Sequence, residues 1–142
     1  MGKINLVRVV LGGLLAGLVV NIGEFILNTY VIADDQSKIL TRLNLPPIGQ
    51  PQVVQFVVLT FLMGIVLVWI YAGIRPRFGA GAKTAIIAAV TLWVVVGLFN
   101  AQLVVVGMVT VGENVVPAIW GLVELAIAAV AGAWLYQESA SS

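Results

Sequence analysis

The sequence predicts an all-α protein, a bundle of four transmembrane helices that forms a single integral membrane domain over residues 1–142. Composition is the first observation: 61% of the residues are hydrophobic, only 9% are charged, and the mean hydropathy is +1.12. A soluble domain is nearer half apolar and a quarter charged. The second is the presence of four stretches that meet the requirement of roughly 20 apolar residues for a helix to cross a bilayer core.

The four predicted spans cover about residues 7–32, 53–73, 83–111 and 115–136. Between the first two lies the segment DDQSKILTRLNLPP, which begins with helix-capping Asp residues and ends at Pro46 and Pro47. Ile39, Leu40 and Leu43 fall on one helical face, so the segment predicts a short amphipathic helix on the outer membrane surface. It serves either as a connector that rests on the bilayer or as a lid over something beneath it.

Orientation follows from the distribution of Lys and Arg. Two lie in the outer segment, Lys38 and Arg42, and five lie on the other side: Lys3, Arg8, Arg75, Arg77 and Lys83. The excess predicts that both termini lie in the cytoplasm. Arg75, Arg77 and Lys83 form a positive inner loop that could also bind anionic lipid headgroups.

Polar residues within the first span raise the functional question. Asn21, Glu24 and Asn28 are spaced three and four apart, so they share one helical face. Gly13 and Gly17 continue that face, and small residues let helices approach closely in lipid. We therefore expect this face to point toward the other helices.

The third and fourth spans contribute polar groups at a similar predicted depth. Glu124 lies on a face with Gly121 and Ala128, and Asn100 and Gln102 lie late in the third span. Because no Lys or Arg falls at that depth, desolvation favours the neutral acid.

The hypothesis is that Glu24 and Glu124 approach each other and share a proton, with hydrogen bonds donated by Asn100 and Gln102. Intramembrane acids are candidates for functional sites. The alternative is that these groups only hold helices together by hydrogen bonds.

The residues that are missing exclude several classes of function. The chain has no Cys and no His, which predicts no catalytic residue, no metal site and no bound cofactor, and so argues against an enzyme. The net charge is +1 and no basic stripe is present, so nucleic-acid binding is not expected.

Three segments, LGGLLAGLVVNIGEFILN, YAGIRPRFGAGAKTA and IWGLVELAIAAVAGAWLYQE, resemble a group of small four-span bacterial membrane proteins with no established activity. This resemblance implies a shared fold and a location in the bacterial plasma (inner) membrane, and it assigns no role to any residue.

The first functional expectation is therefore an accessory or structural subunit, in contact with the lipid bilayer and with other membrane subunits or with copies of itself. The alternative is a small oligomeric transporter, linked to protons or cations, that uses the buried carboxyl pair.

Overall fold

The structure is a computed structural model that describes residues 3–138. Within that range all regular structure is helical, which confirms the predicted all-α class. The elements are α1 (Leu6–Ile26) with a π-helical continuation (Leu27–Val31), α2 (Ala33–Arg42), α3 (Gln50–Phe78), α4 (Ala82–Val105) and α5 (Val111–Leu135). Four of these helices, α1 with its continuation, α3, α4 and α5, are long and apolar enough to cross a membrane.

Local capping explains where the helices begin. The side chain of Asn5 accepts a hydrogen bond from the backbone N–H of Arg8 at 3.1 Å and starts α1. Thr110 and Glu113 form a reciprocal capping box at the start of α5. Such caps satisfy backbone N–H groups that have no partner within the helix.

Two helices end at positions that differ from the predicted ones. The third span ends at Val105 rather than near residue 111, because Gly107 adopts a φ of 78° that favours glycine. The second span runs to Phe78, beyond the predicted residue 73, and ends where Gly79 has a φ of 86°. Hydropathy located the apolar stretches, whereas backbone conformation sets these two helix ends.

The four long helices pack as a bundle in which α1 lies against α3 and α5, and α4 lies against the same two helices. The helices α1 and α4 therefore occupy opposite corners. This arrangement decides which polar side chains can meet, because groups on α1 reach α3 and α5 more readily than α4.

Burial divides the bundle into two halves. Almost every buried position of the long helices lies in the half that contains the start of α1 and the end of α5, which we call the closed half. The other half, which we call the open half, comprises residues 21–31, 50–63, 93–105 and 111–123 of the long helices. It includes one buried residue, Leu27. The buried positions of the long helices in the closed half are Val9, Gly12, Gly13, Ala16, Gly17 and Val20 in α1, Gly64, Leu67, Val68, Tyr71 and Ala72 in α3, Thr84, Ala85, Ala88, Ala89 and Leu92 in α4, and Glu124, Leu125, Ala128, Ala129 and Gly132 in α5.

Small residues produce the tight packing of the closed half. A Cβ atom added at Gly64 would lie 2.7 Å from the Cα of Gly17, and one at Gly13 would lie 2.8 Å from the backbone nitrogen of Ile65. The structure thus places the predicted packing residues Gly13 and Gly17 at the crossing of α1 and α3. In α5, Ala128 is fully buried, whereas a Cβ at Gly121 would meet its nearest neighbour at 3.9 Å.

Candidate functional site

Glu24 lies on α1 in the open half of the bundle, just before the π-helical segment. Its carboxylate oxygen Oε2 accepts a hydrogen bond of 2.8 Å from the amide nitrogen of Asn28. The same amide lies 2.8 Å from the backbone oxygen of Glu24. The predicted spacing of these two residues therefore brings their side chains together on one face.

A second amide extends this contact to α2. Gln36 donates a hydrogen bond from Nε2 to the side-chain oxygen of Asn28 at 3.0 Å. A short relay of side chains thus runs from α2 through the π-helical segment to the carboxylate of Glu24. Single π-helical turns are frequent at functional sites, where they alter the direction of nearby side chains.

Asn21 forms its contacts with backbone oxygens rather than with Glu24. Its amide donates to the backbone oxygen of Gly17 at 2.9 Å and, at 3.4 Å, to that of Val57 on α3. The side chain therefore connects α1 with α3 and, among the described residues, forms no hydrogen bond to a carboxylate.

Glu124 lies in the middle of α5, and only 7% of its surface is exposed. Its oxygen Oε1 is fully buried and has no hydrogen-bond partner within residues 3–138. Among those residues neither Glu124 nor Glu24 forms an ion pair with Lys or Arg. A buried carboxyl group without a partner is costly, so a native structure that retains one invites a functional explanation.

Gly23 makes room for this carboxyl group. The Glu124 side chain packs directly on Gly23, where an added Cβ would lie 2.8 Å from the carboxyl carbon. The acid of α5 thus lies against α1 at the residue next to Glu24. Gly23 was not among the predicted residues because it falls outside the spacing of Gly13 and Gly17; its position directly before Glu24 was the available clue.

Two cavities flank this part of α1. The first, of about 550 Å³, lies between α1 and α3 on the side of α2, and Glu24, Asn28 and Gln36 are among its lining residues. The second, of about 500 Å³, lies between α1 and α5 and is lined by Glu124 together with mainly apolar side chains. Both volumes are in the range of small-molecule sites. Each acidic residue thus lines a cavity of its own.

Asn100 and Gln102 do not join the two acids. Within residues 3–138 their side chains form no hydrogen bond, and neither residue lines the two cavities. They belong to α4, which lies diagonally opposite α1. Because α4 ends at Val105, they also lie only about 8 and 5 Å along the axis from the helix end, at about 1.5 Å per residue.

The second contact of α2 is an ion pair with the first turn of α5. Arg42 holds Glu113 through two hydrogen bonds of 2.8 and 2.9 Å and also donates to the backbone oxygen of Met108 at 3.1 Å. The hydrogen bonds with Glu113 raise the pKa of Arg42 above its ordinary value. The helix α2 is thereby held at both ends, to the π-helical segment and to the start of α5.

The predicted positive loop lies at the closed end of the bundle. Arg75 is partly enclosed: its guanidinium group lies 5.5 Å from the ring centre of Tyr136 and 3.4 Å from the carboxylate of Glu138. Arg77 and Lys83 are exposed. Arg75 thus takes part in packing at the end of α3, and the other two cations remain accessible.

Among residues 3–138 no three His, Cys, Asp or Glu side chains are grouped so that they could hold a metal ion. Comparison of the chain with models of protein families, with curated proteins and with solved structures finds no match in any of the three.

Proposed function

We propose that this chain is a small integral membrane protein that moves protons or another cation across the membrane by means of Glu24 and Glu124. One observation supports this function above others: the carboxyl oxygen Oε1 of Glu124 is buried, unpartnered and packed against α1 beside Glu24. A carboxyl group in this position can bind a proton or a cation, because no Lys or Arg within residues 3–138 neutralises it.

The geometry argues against a purely adhesive role for the two acids. An acid that holds helices together should form hydrogen bonds with a neighbouring helix. Glu24 instead bonds to Asn28 on its own helix, and Glu124 has an unpartnered oxygen. Asn21, which does bond to α3, is the residue whose contacts match that role.

A cation would enter through the cavity between α1 and α3. Its lining includes Gln36 of α2, so α2 is suitably placed to act as a lid. In this proposal α2 is an amphipathic helix on the outer membrane surface. In support, its polar residues Asp34, Ser37, Lys38 and Thr41 are exposed, whereas Gln36, Ile39, Leu40 and the following Leu43 are half-buried.

The proposed setting is the plasma membrane of a bacterium, with both termini in the cytoplasm. The positive residues at the closed end support this orientation. The open half then faces outward and the closed half seals the cytoplasmic side. Since four helices offer little space for a continuous pathway, the proposal includes a homo-oligomer.

The expectation of an accessory subunit stays a prediction, and native mass spectrometry of protein extracted from its own membrane in mild detergent tests it. Release of the chain alone or as a homo-oligomer agrees with transport. Release in complex with larger subunits favours the accessory function.

Flux through reconstituted protein tests the proposed function directly. A potassium diffusion potential, negative inside, is imposed on liposomes that contain a pH-sensitive dye. Acidification of the lumen is then recorded. We expect proton entry with the native chain and its loss in Glu24→Gln and in Glu124→Gln. Glu138→Gln is the matched control, because it makes the same change in a carboxylate at the closed end that pairs with Arg75.

The control variant should retain the native rate. A native rate in the double variant Glu24→Gln, Glu124→Gln, or no flux in the native protein with protons, sodium or potassium, contradicts the proposal.

A further inference from the structure

The cavity between α1 and α5 differs in chemistry from the cavity beneath α2. Glu124 is its one ionisable residue and Trp120 its one aromatic residue. The remaining lining residues are Val19, Ile22, Gly23, Val116, Ile119, Val123 and Ile127. A single carboxyl group at the wall of a wide apolar space suits a ligand with one charge and a large apolar body.

This cavity opens sideways from the bundle rather than toward its end. Ile119, Val123 and Ile127 line it and are each more than half exposed. In a membrane such residues face lipid, so a ligand dissolved among the lipid chains can enter between α1 and α5. A strongly hydrated inorganic ion gains nothing from such an apolar route.

Two residues that line this cavity each carry a buried polar atom without a partner. Oε1 of Glu124 and Nε1 of Trp120 both have none within residues 3–138. The two residues are four apart on α5, so they share a helical face. An anionic oxygen favours a positively charged N–H donor, and an indole ring is the most favourable aromatic neighbour of a cation.

We propose that the cavity between α1 and α5 is a binding site for hydrophobic ammonium ions, which pair with Glu124 and pack against Trp120. This inference rests on the proposed function and specifies a substrate class for one of its two acids. The ligand donates N–H to the carboxyl group of Glu124, which has to turn toward the cavity because Oε1 is buried. Its apolar part fills the space along Val123 and Ile127. Gly23 is a positioning residue, because its missing side chain lets the carboxyl group lie at the cavity wall.

Equilibrium dialysis with protein in lipid nanodiscs tests this assignment, with empty nanodiscs to correct for partition into lipid. The probe is naphthylmethylamine, which is protonated at neutral pH, and the comparison compound is naphthylmethanol, which has the same shape without the charge. We expect saturable binding of the amine and much weaker binding of the alcohol. Glu124→Gln should weaken amine binding by about thirtyfold or more, since it leaves the cation without its buried partner.

Two further variants keep the test decisive if Glu124→Gln fails to fold. Val123→Phe places a ring in the opening at a lipid-exposed position, so the bundle should remain intact while amine binding is lost. Glu138→Gln should bind like the native protein. Equal binding of amine and alcohol, or unchanged amine binding in Glu124→Gln or Val123→Phe, overturns the assignment and indicates a groove for lipid chains.

The amine-binding experiment and the flux assay test different proposals, and their outcomes can be told apart. Amine binding that depends on Glu124, without cation flux, supports the site and contradicts the proposed transport. Flux that depends on Glu24 and Glu124, without saturable amine binding, supports transport and overturns the ligand class.

Discussion

Replacement of Gly64 by alanine should separate α1 from α3. An added Cβ would lie 2.7 Å from the Cα of Gly17, whereas ordinary van der Waals contact begins at about 3.4 Å. It would also press on the backbone oxygen of Gly13. These are backbone atoms of α1 and cannot rotate away, so the two helices must move apart along the whole crossing.

The magnitude follows from two opposing effects. Overpacking of this kind costs typically about 1–3 kcal/mol, and the crowding by backbone atoms places Gly64 toward the upper end. Alanine in place of glycine gains up to about 1 kcal/mol in a helix. We therefore expect Gly64→Ala to lower the free energy of unfolding by about 1–2 kcal/mol.

Gly73 provides a matched control on the same helix, because a Cβ added there meets nothing within 4 Å. Unfolding of both variants in mixed micelles, followed by circular dichroism over a series of denaturing detergent fractions, gives the comparison. Gly73→Ala should be as stable as the native chain or slightly more stable. If Gly64→Ala is as stable as Gly73→Ala, the close crossing of α1 and α3 is wrong.

Four other positions give predictions of their own. Gly23→Ala should leave stability nearly unchanged but abolish flux, because the new methyl group displaces only the flexible end of Glu124; native flux would contradict this. Asn28→Ala should shift the infrared band of the neighbouring carboxyl group, which loses its hydrogen bond, and an unshifted band would exclude that bond. Arg42→Gln should lower stability at low salt and change it much less at high salt, as urea titration at two salt concentrations would reveal. A single cysteine at Asn44 should react with an impermeant maleimide on intact cells, and protection there would reverse the predicted orientation.

Hydropathy was sufficient to predict the all-helical class and four spans, because a bilayer requires long apolar helices and the chain contains four such stretches. Helical spacing was sufficient to pair Asn28 with Glu24, because both side chains belong to one helix. These features depend on local sequence alone.

Contacts between helices could not be obtained in the same way. The depth assigned to Asn100 and Gln102 depended on where α4 ends, and the turn at Gly107 ends it earlier than its apolar composition suggests. Whether Asn100 and Gln102 could reach Glu24 depended on which corner of the bundle α4 occupies relative to α1.

Three further features are contacts between distant segments, and no spacing rule signals them. They are the ion pair of Arg42 with Glu113, the packing of Gly64 on α1, and the packing of Gly23 on Glu124.

The division of the bundle into halves connects packing with the proposed function. In lipid the hydrophobic effect does not hold helices together, so close packing of small residues has to do so. Such residues are concentrated in the closed half, where Gly12 of α1 also meets Gly132 of α5. In the open half few residues of the described helices are buried, so we expect the helices to separate there more readily than in the closed half. Glu124 lies at the boundary between the halves and Glu24 just beyond it, so a small opening changes the surroundings of both acids. We therefore expect the motion that loads and releases a cation to pivot about the closed half.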